Sequence, residues 1–212
     1  AYFAKKLGNI SLPVYSLGMS NFYDIPALYR LYRLVKENKF DIIHTRLIRA
    51  DFYGRIVAKL AEVPLIISNH VDIYTEHFKS YHGSAKGLIL KPLDKMTLGL
   101  TDIFIVNSEG VSLDLVHSVG VPKKRVVKIY NGVDSELYQP KTDVGFSVRA
   151  ELNIKATDVL VGTVAKLHPK KGLIYLIEAA RKILKHSNSI KFLIVGDGPE
   201  KNKLEYQTKQ FE

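Results

Sequence analysis

Two lysines near the end of the chain occupy a strand-to-helix turn where a phosphorylated ligand could bind. Lys166 and Lys171 flank the turn in residues 164–172, between an apolar run and a helical pattern. Backbone amides at a helix N-terminus carry partial positive charge, so amides and ammonium groups together would stabilise a diphosphate. The segment lacks the Gly-Lys-Ser or Gly-Lys-Thr ending of a Walker motif. Spacing alone therefore favours a phosphate site and solvated surface lysines equally.

A glycine-rich turn follows the next apolar run. It contains Gly196, Asp197 and Gly198. Glycine allows a backbone to approach a ligand closely, although glycines at strand ends are often simple turns. These three residues are a second, weaker candidate for a ligand-binding loop.

Histidine and arginine side chains follow two earlier apolar runs. His44 and Arg46 come after Ile42 and Ile43, and His70 follows the run 65–68. Ligands of open α/β sheets bind beyond the carboxyl ends of the strands, so we expect these polar groups to converge there. An isolated histidine is more often a strand cap or a loop residue. The interpretation of His70 as a site residue therefore rests on the wider pattern of motifs.

The order of the elements predicts a parallel α/β fold. From residue 39 onward, short β-rich runs alternate with helical patterns, which is typical of βαβ units. The predicted strands cover residues 42–43, 65–68, 103–106, 126–130, 159–167 and 192–195. The predicted helices cover about 52–60, 86–99, 107–120, 173–184 and 200–211.

A polar connector divides the chain into two predicted domains. It starts at the turn dipeptide Asn131-Gly132 and continues to Asp143. We place the domains at residues 1–139 and 140–212. The second would contain two or three strands, whereas a doubly wound domain commonly has about six. We therefore expect the second domain to be truncated.

Composition restricts the class of protein. The 212 residues are 46% hydrophobic and 25% charged, which is ordinary for a globular protein. No stretch reaches the ~20 apolar residues of a membrane span, and no signal peptide is recognisable, so the cytoplasm is the expected compartment. The absence of cysteine excludes disulfides, thiolate catalysis and Cys-based metal sites. A net charge of +10 favours phosphates, nucleic acid or anionic lipid as partners.

Seven short motifs occur in a fixed order between about residues 39 and 205. They are Asp-Ile-Ile-His at 41–44, Gly-Arg through Val-Pro at 54–64, the strand-end His70, Val-Asn-Ser at 106–108, Asn-Gly-Val-Asp at 131–134 with Tyr138 and Pro140, the lysine turn at 164–172, and Val-Gly-Asp-Gly-Pro at 195–199. In this order they resemble glycosyltransferase family 4. That family comprises retaining enzymes of the GT-B fold that use nucleotide-sugar donors.

The resemblance implies a role for each candidate on the donor side. Lys166 and Lys171 would hold the donor diphosphate, and the turn at 196–198 would be the donor nucleotide loop. Lys166 stands where the family usually has arginine, which keeps the charge but loses bidentate phosphate geometry. Ala165 replaces the usual glycine, so the backbone at this position can approach a ligand less closely.

For the other candidates the resemblance implies contacts with the sugar and the acceptor. His70 would lie in the interdomain cleft near the transferred sugar as the catalytic residue. His44 and Arg46 would lie on the acceptor side. The resemblance implies neither a metal nor a cofactor, and the sequence has no Asp-x-Asp motif of metal-using transferases.

In fold terms, the resemblance implies two Rossmann-like parallel-sheet domains of GT-B type, both incomplete. Residues 1–139 would form the acceptor-side domain, and residues 140–212 would form the start of the nucleotide-sugar-binding, donor-side domain. The family's N-terminal glycine-rich loop has no counterpart here, so the first domain lacks its N-terminal strand region. The paired glutamates of the Glu-x7-Glu motif are also missing. We therefore expect the isolated chain to have little or no transferase activity.

The expected function is transfer of a sugar from a UDP- or GDP-sugar to a glycan or glycolipid acceptor, with retention. Such a reaction would suit bacterial-like polysaccharide or lipopolysaccharide biosynthesis in the cytoplasm, with peripheral contact to the inner face of an anionic membrane. A non-catalytic GT-B relic that binds nucleotide and a GT-B sugar-nucleotide epimerase are the alternatives. An oxidoreductase is disfavoured because no strand precedes a Gly-x-Gly-x-x-Gly turn. Nucleic-acid binding is disfavoured because no basic-aromatic cluster accompanies the charge.

Overall fold

Two compact units make up the chain, residues 1–132 and 133–212. The computed structural model describes residues 13–19, 21, 24–79, 85–139, 142–187 and 189–210. The predicted assignment of residues 1–139 and 140–212 to an acceptor-side and a donor-side domain stays a prediction. Pro140 of the predicted motifs lies outside the described residues.

In the first unit, helices alternate with four parallel strands that pair in the order β1-β2-β3-β4. Short 3₁₀ turns cover 98–100 and 123–125, and a π-helical turn covers 114–119. The elements are α1 (Ile25–Asn38), β1 (Ile42–Arg46), α2 (Ile48–Leu60), β2 (Leu65–His70), α3 (Tyr74–Lys79), α4 (Ala85–Thr97), β3 (Ile103–Val106), α5 (Glu109–Leu113) and β4 (Val126–Lys128). The predicted parallel α/β class is confirmed.

The second unit contains two described parallel strands with helices beside them. The elements are α6 (Thr142–Glu151), β5 (Val159–Val164), a 3₁₀ turn (Pro169–Lys171), α7 (Leu173–Leu184), β6 (Ile190–Val195) and α8 (Lys201–Lys209). Leu173 and Ile177 of α7 form a buried cluster with Leu167 and Leu204. In the described parts of both units, no helix is long and apolar enough to cross a bilayer.

Three helices were not predicted. Helix α1 begins where the Asp24 carboxylate accepts a hydrogen bond from the Ala27 amide at 2.9 Å, and it buries Ala27 and Val35. Helix α3 lies in a stretch for which the sequence pattern predicts neither a strand nor a helix. A tertiary contact anchors its first turn, since the Thr75 amide and hydroxyl donate to Asp114 at 3.0 and 2.7 Å. Helix α6 begins at Thr142, just before the predicted end of the connector at Asp143.

Two predicted strands are longer than the observed ones. β4 ends at Lys128 and β5 ends at Val164, rather than at residues 130 and 167. Beyond Val164 the two chain segments are still joined by hydrogen bonds, since the Ala165 amide donates to the Val195 carbonyl and the Leu167 amide donates to the Asp197 carbonyl. The end of the helical pattern at Gly120 is confirmed, and this glycine has a φ of 89°.

Gly54 allows helix α2 to lie close to strand β1. A Cβ atom at this position would be 2.3 Å from the Cγ2 atom of Thr45, which is itself buried. The neighbouring residues Tyr53, Val57 and Ala58 are buried on the same helix. A glycine is therefore required for this distance between helix and sheet.

We predict that Gly54→Ala lowers the free energy of unfolding by about 1–3 kcal/mol, because the added methyl group forces the helix and the strand apart. Gly110→Ala is the matched control, since a Cβ at this helical position has no heavy atom within 4 Å. Urea unfolding of both variants tests this. Equal stability of the two variants would contradict the packing role of Gly54.

Candidate functional site

A buried arginine organises the interior of the first unit. The Arg55 side chain is fully buried, and its Nη1 atom donates to Asp94 Oδ1 at 2.8 Å and to Thr97 Oγ1 at 3.3 Å. Its Nε atom donates to Ser68 Oγ at 3.1 Å, and its Nη2 atom lies 3.4 Å from His70 Nε2. Breaking a buried ion pair typically costs about 3–5 kcal/mol, so this set of contacts fixes α2, β2 and α4 relative to one another.

Hydroxyl groups extend the polar network towards strand β1. Thr45 Oγ1 donates to Asp51 Oδ1 at 2.5 Å and lies 3.2 Å from Ser68 Oγ, which in turn lies 3.1 Å from Thr101 Oγ1. All four side chains are buried. Burial raises the pKa of the Asp51 carboxyl, and the charge of Arg55 and the Thr45 hydrogen bond oppose this shift.

His70 is the last residue of β2, as its position in the sequence predicts. It is only 7% exposed, and its ring centroid lies 5.7 Å from that of Phe104 and 6.2 Å from that of Tyr74. Burial, reinforced by the positive charge of Arg55, lowers the pKa of His70 to about 4. The imidazole is therefore neutral near pH 7 and is a hydrogen-bonding group rather than an acid or base at that pH.

A small cavity lies at the carboxyl ends of β1 and β2. Its volume is about 50 Å³, which is room for a small polar group. His70 lines this cavity, and so do the polar residues Asp51, Asn69 and Asp72. The carboxyl edge of the sheet thus brings together a histidine, an amide and two carboxyl side chains, of which sequence reasoning selected only the histidine as a site residue.

His44 and Arg46 line a different, larger cavity of about 560 Å³ beside β1 and α2. Both side chains are exposed. Leu47 lines both cavities and joins β1 to α2 with a φ of 75° and a ψ of 144°, a backbone conformation that glycine adopts far more readily. His70 therefore lines one cavity, and His44 and Arg46 line the other. The two cavities share Leu47, whose backbone is strained.

In the second unit, Lys166 and Lys171 are exposed on the loop between β5 and α7. Neither has an ion-pair partner among the described residues. The loop ends in the 3₁₀ turn at 169–171, where His168 Nδ1 accepts a hydrogen bond from the Lys170 amide at 3.3 Å. Helix α7 starts directly after Gly172, which has a φ of 62°. The predicted strand, turn and helix around the two lysines are present.

The Gly-Asp-Gly turn packs directly against the backbone of this lysine loop. The Ala165 amide donates to the Val195 carbonyl at 3.0 Å, and the Leu167 amide donates to the Asp197 carbonyl at 2.9 Å. A Cβ on Gly196 would be 1.9 Å from the Ala165 carbonyl oxygen, and one on Gly198 would be 2.4 Å from that of Leu167. The two glycines therefore permit hydrogen bonds that fix the chain on either side of Lys166.

Sequence reasoning missed most of the buried network. Asp51 and Arg55 lie one helical turn apart on the inward face of α2, and charged residues in that position are the signal that could have identified the network. The ion-pair partner of Arg55 is Asp94, which lies 39 residues further along the chain, so no local spacing predicts this ion pair. Within the described residues, no group of His, Asp and Glu side chains is arranged to hold a metal ion.

We predict that His70 makes the protein less stable as the pH falls from about 6.5 to about 4. The folded state binds the imidazole proton more weakly than the unfolded state does, so the free energy of unfolding decreases over this range by about 3 kcal/mol. Urea unfolding of wild type and His70→Asn tests this, because the variant lacks the group.

The matched control is His117→Asn, which changes an exposed histidine of the same unit. It should reproduce the wild-type pH dependence. If His70→Asn also followed wild type between pH 6.5 and 4, the low pKa of His70 would be wrong.

Most of the chain is similar to known glycosyltransferases. The model of Glycosyltransferase Family 4 matches residues 4–137, and that of Glycosyl transferases group 1 matches residues 146–212. The UDP-Gal:alpha-D-GlcNAc-diphosphoundecaprenol alpha-1,3-galactosyltransferase of Escherichia coli is 29% identical over 92% of this chain and 50% of its own length. The alpha-monoglucosyldiacylglycerol synthase of Streptococcus pneumoniae is 24% identical over 84% and 41%.

Solved structures with a similar fold cover nearly the whole chain. Anabaena Alr3699/HepE in complex with UDP has a TM-score of 0.76 and 21% identity, over 99% of this chain and 56% of that one. Sucrose-phosphate synthase from Thermosynechococcus elongatus has a TM-score of 0.64 and 19% identity, over 90% and 47%. The chain thus spans about half the length of the proteins it matches.

Proposed function

Because the chain belongs to glycosyltransferase family 4, we propose that the full-length protein transfers a sugar from a UDP-sugar to a glycan or glycolipid acceptor. The observation that carries the proposal is the loop with Lys166 and Lys171, which lies at a strand-to-helix junction within the region matched by the second transferase model. The E. coli relative has a UDP-sugar in its name, and the Anabaena structure contains UDP. Both observations favour UDP over GDP as the nucleotide of the donor.

On the donor side, Lys166 and Lys171 bind the diphosphate. Both ammonium groups are exposed on a loop whose backbone is fixed by the Gly-Asp-Gly turn. Negative charge builds up on the nucleoside diphosphate as the bond to the sugar breaks, and fixed cations and helix-start amides stabilise that charge. The loop therefore promotes departure of UDP as well as binding. Gly196, Asp197 and Gly198 act in this proposal mainly by holding the lysine loop.

His70 contacts the transferred sugar as a neutral hydrogen-bonding residue. Its burial and its low pKa argue against a proton-transfer role at neutral pH. The proposed reaction therefore needs no titrating histidine, and retention at the anomeric carbon is included because the family resemblance implies it.

On the acceptor side, His44 and Arg46 lie at the large cavity beside β1. Apolar residues such as Leu17, Leu31 and Tyr53 also line this cavity, so it suits a ligand with both apolar and anionic parts. The two named relatives act, by their names, on a diphosphoundecaprenol-linked sugar and in making a glucosyldiacylglycerol. We extend the proposal to a bacterial-like glycolipid acceptor, used at the cytoplasmic face of a membrane that the net charge of +10 attracts.

Calorimetric titration of UDP and GDP into the full-length protein tests the donor assignment. We expect UDP to bind, and Lys171→Ala to weaken binding about tenfold or more, because a charge-assisted phosphate contact is lost. Lys182→Ala is the matched control, since it removes an exposed lysine from helix α7. Absence of UDP binding in the wild type would refute the donor proposal.

Product analysis with a UDP-sugar completes that test. Transfer to an acceptor supports the transferase, whereas conversion of the sugar nucleotide without transfer supports an epimerase. Binding of UDP with no turnover of any kind supports a nucleotide-binding relic.

We predict that Gly198→Ala weakens UDP binding although the side chain need not touch the ligand. The added Cβ meets the Leu167 carbonyl and displaces the backbone beside Lys166, so we expect about a tenfold loss of affinity. Gly162→Ala is the control, because a Cβ there meets its nearest atom at an ordinary 3.8 Å. Unchanged UDP affinity in Gly198→Ala would show that the turn does not position the lysine loop.

A further inference from the structure

The contact between Arg55 and His70 determines which ring nitrogen carries the hydrogen. Arg55 Nη2 lies 3.4 Å from His70 Nε2. A guanidinium group has only donors, so Nε2 must be the acceptor of this contact. In a neutral imidazole the hydrogen then lies on Nδ1. The nitrogen that remains for a ligand is therefore a donor, not a basic lone pair.

Arg55 cannot easily give up this contact. Its other donors bond Ser68, Asp94 and Thr97, and the side chain is fully buried. Turning the guanidinium towards another partner would break contacts to Asp94 or Ser68 in a site without solvent. The orientation of the arginine is consequently fixed by residues of β2 and α4, at a distance from any ligand.

The cavity beside His70 is suited to a hydroxyl group. His70, Asn69 and Asp72 all line this cavity. The Nδ1–H group of His70 would supply a donor there, and the Asp72 carboxylate and the Asn69 amide oxygen would supply acceptors. A sugar hydroxyl both donates and accepts, so it would satisfy both kinds of group. A histidine of the other tautomer would present an acceptor beside the Asp72 carboxylate, and the oxygen of the hydroxyl would then have to rely on the Asn69 amide group as its donor.

We propose that Arg55 is a positioning residue for sugar transfer, which fixes His70 as the Nδ1–H tautomer so that the ring donates a hydrogen bond to a hydroxyl of the substrate. The proposal rests on the proposed function for its substrate. Its structural part, the tautomer, is independent of that function. Arg55 itself does not touch the substrate.

Nitrogen NMR of the full-length protein with ¹⁵N-labelled histidine tests the tautomer directly. The His70 signals are assigned by their loss in His70→Asn. We expect wild type to show the Nδ1–H form near pH 7, both without ligand and with UDP. Observation of the Nε2–H form in wild type would overturn the proposal, whatever reaction the protein catalyses.

Two variants separate positioning from folding. Arg55→Lys keeps a cation beside Asp94 but lacks the planar set of donors that reaches Ser68 and His70 together. The double variant Arg55→Met with Asp94→Asn removes both charges, so that no uncompensated charge stays buried. Lys59→Met is the matched control, because it changes an exposed residue of the same helix.

In both variants we expect an Nε2–H signal to appear and kcat to fall about tenfold or more, with UDP affinity within about twofold of wild type. Lys59→Met should match wild type in all three measurements. A folded variant that keeps the Nδ1–H form, or that loses it with unchanged kcat, would overturn the proposal. If wild type neither binds UDP nor transfers sugar, the proposed function fails. The NMR measurement then still decides whether Arg55 fixes the tautomer of His70.

Discussion

The buried ion pair of Arg55 and Asp94 is the interaction on which the first unit depends. A charge without access to water must have all of its donors satisfied, which leaves little freedom for the residues around it. Each of the three nitrogen atoms of the guanidinium group contacts a different residue, and these residues are Ser68, Thr97 and His70. The pair links α2 to α4, which lies 39 residues further along the chain, and the contact of Arg55 with Ser68 adds strand β2. It also accounts for the neutral state of His70, since burial and a nearby cation both oppose protonation.

Among its described residues, the second unit has no buried charged side chain. Its lysine loop is held by backbone hydrogen bonds to the turn at 196–198, and these bonds are short enough that any side chain at Gly196 or Gly198 would collide with a carbonyl. The cations themselves stay exposed. This arrangement leaves both ammonium groups accessible on a loop whose backbone is held by hydrogen bonds.

The sequence was informative wherever local patterns determine structure. Apolar runs predicted β1, β2 and β3, and the ordered motifs identified the family, which the comparisons confirm. Helix α1 was not predicted, because it precedes the alternation of strands and helices that begins at residue 39, although Asp24 and Pro26 mark its start. Helix α3 and the Arg55–Asp94 pair depend on contacts between distant residues, and such contacts leave no periodic signal. The predicted roles of His44, Arg46, His70, Lys166 and Lys171 stay predictions.

Leu47 has a consequence for how binding events in the first unit are related. Its backbone conformation costs about 1–3 kcal/mol, which the packing of β1 and α2 must offset. The same residue forms part of the wall of both cavities. A ligand in one cavity that changed the backbone of Leu47 would therefore also change the wall of the other cavity. Occupation of the two cavities would then be thermodynamically linked, with each ligand altering the affinity for the other by the same factor.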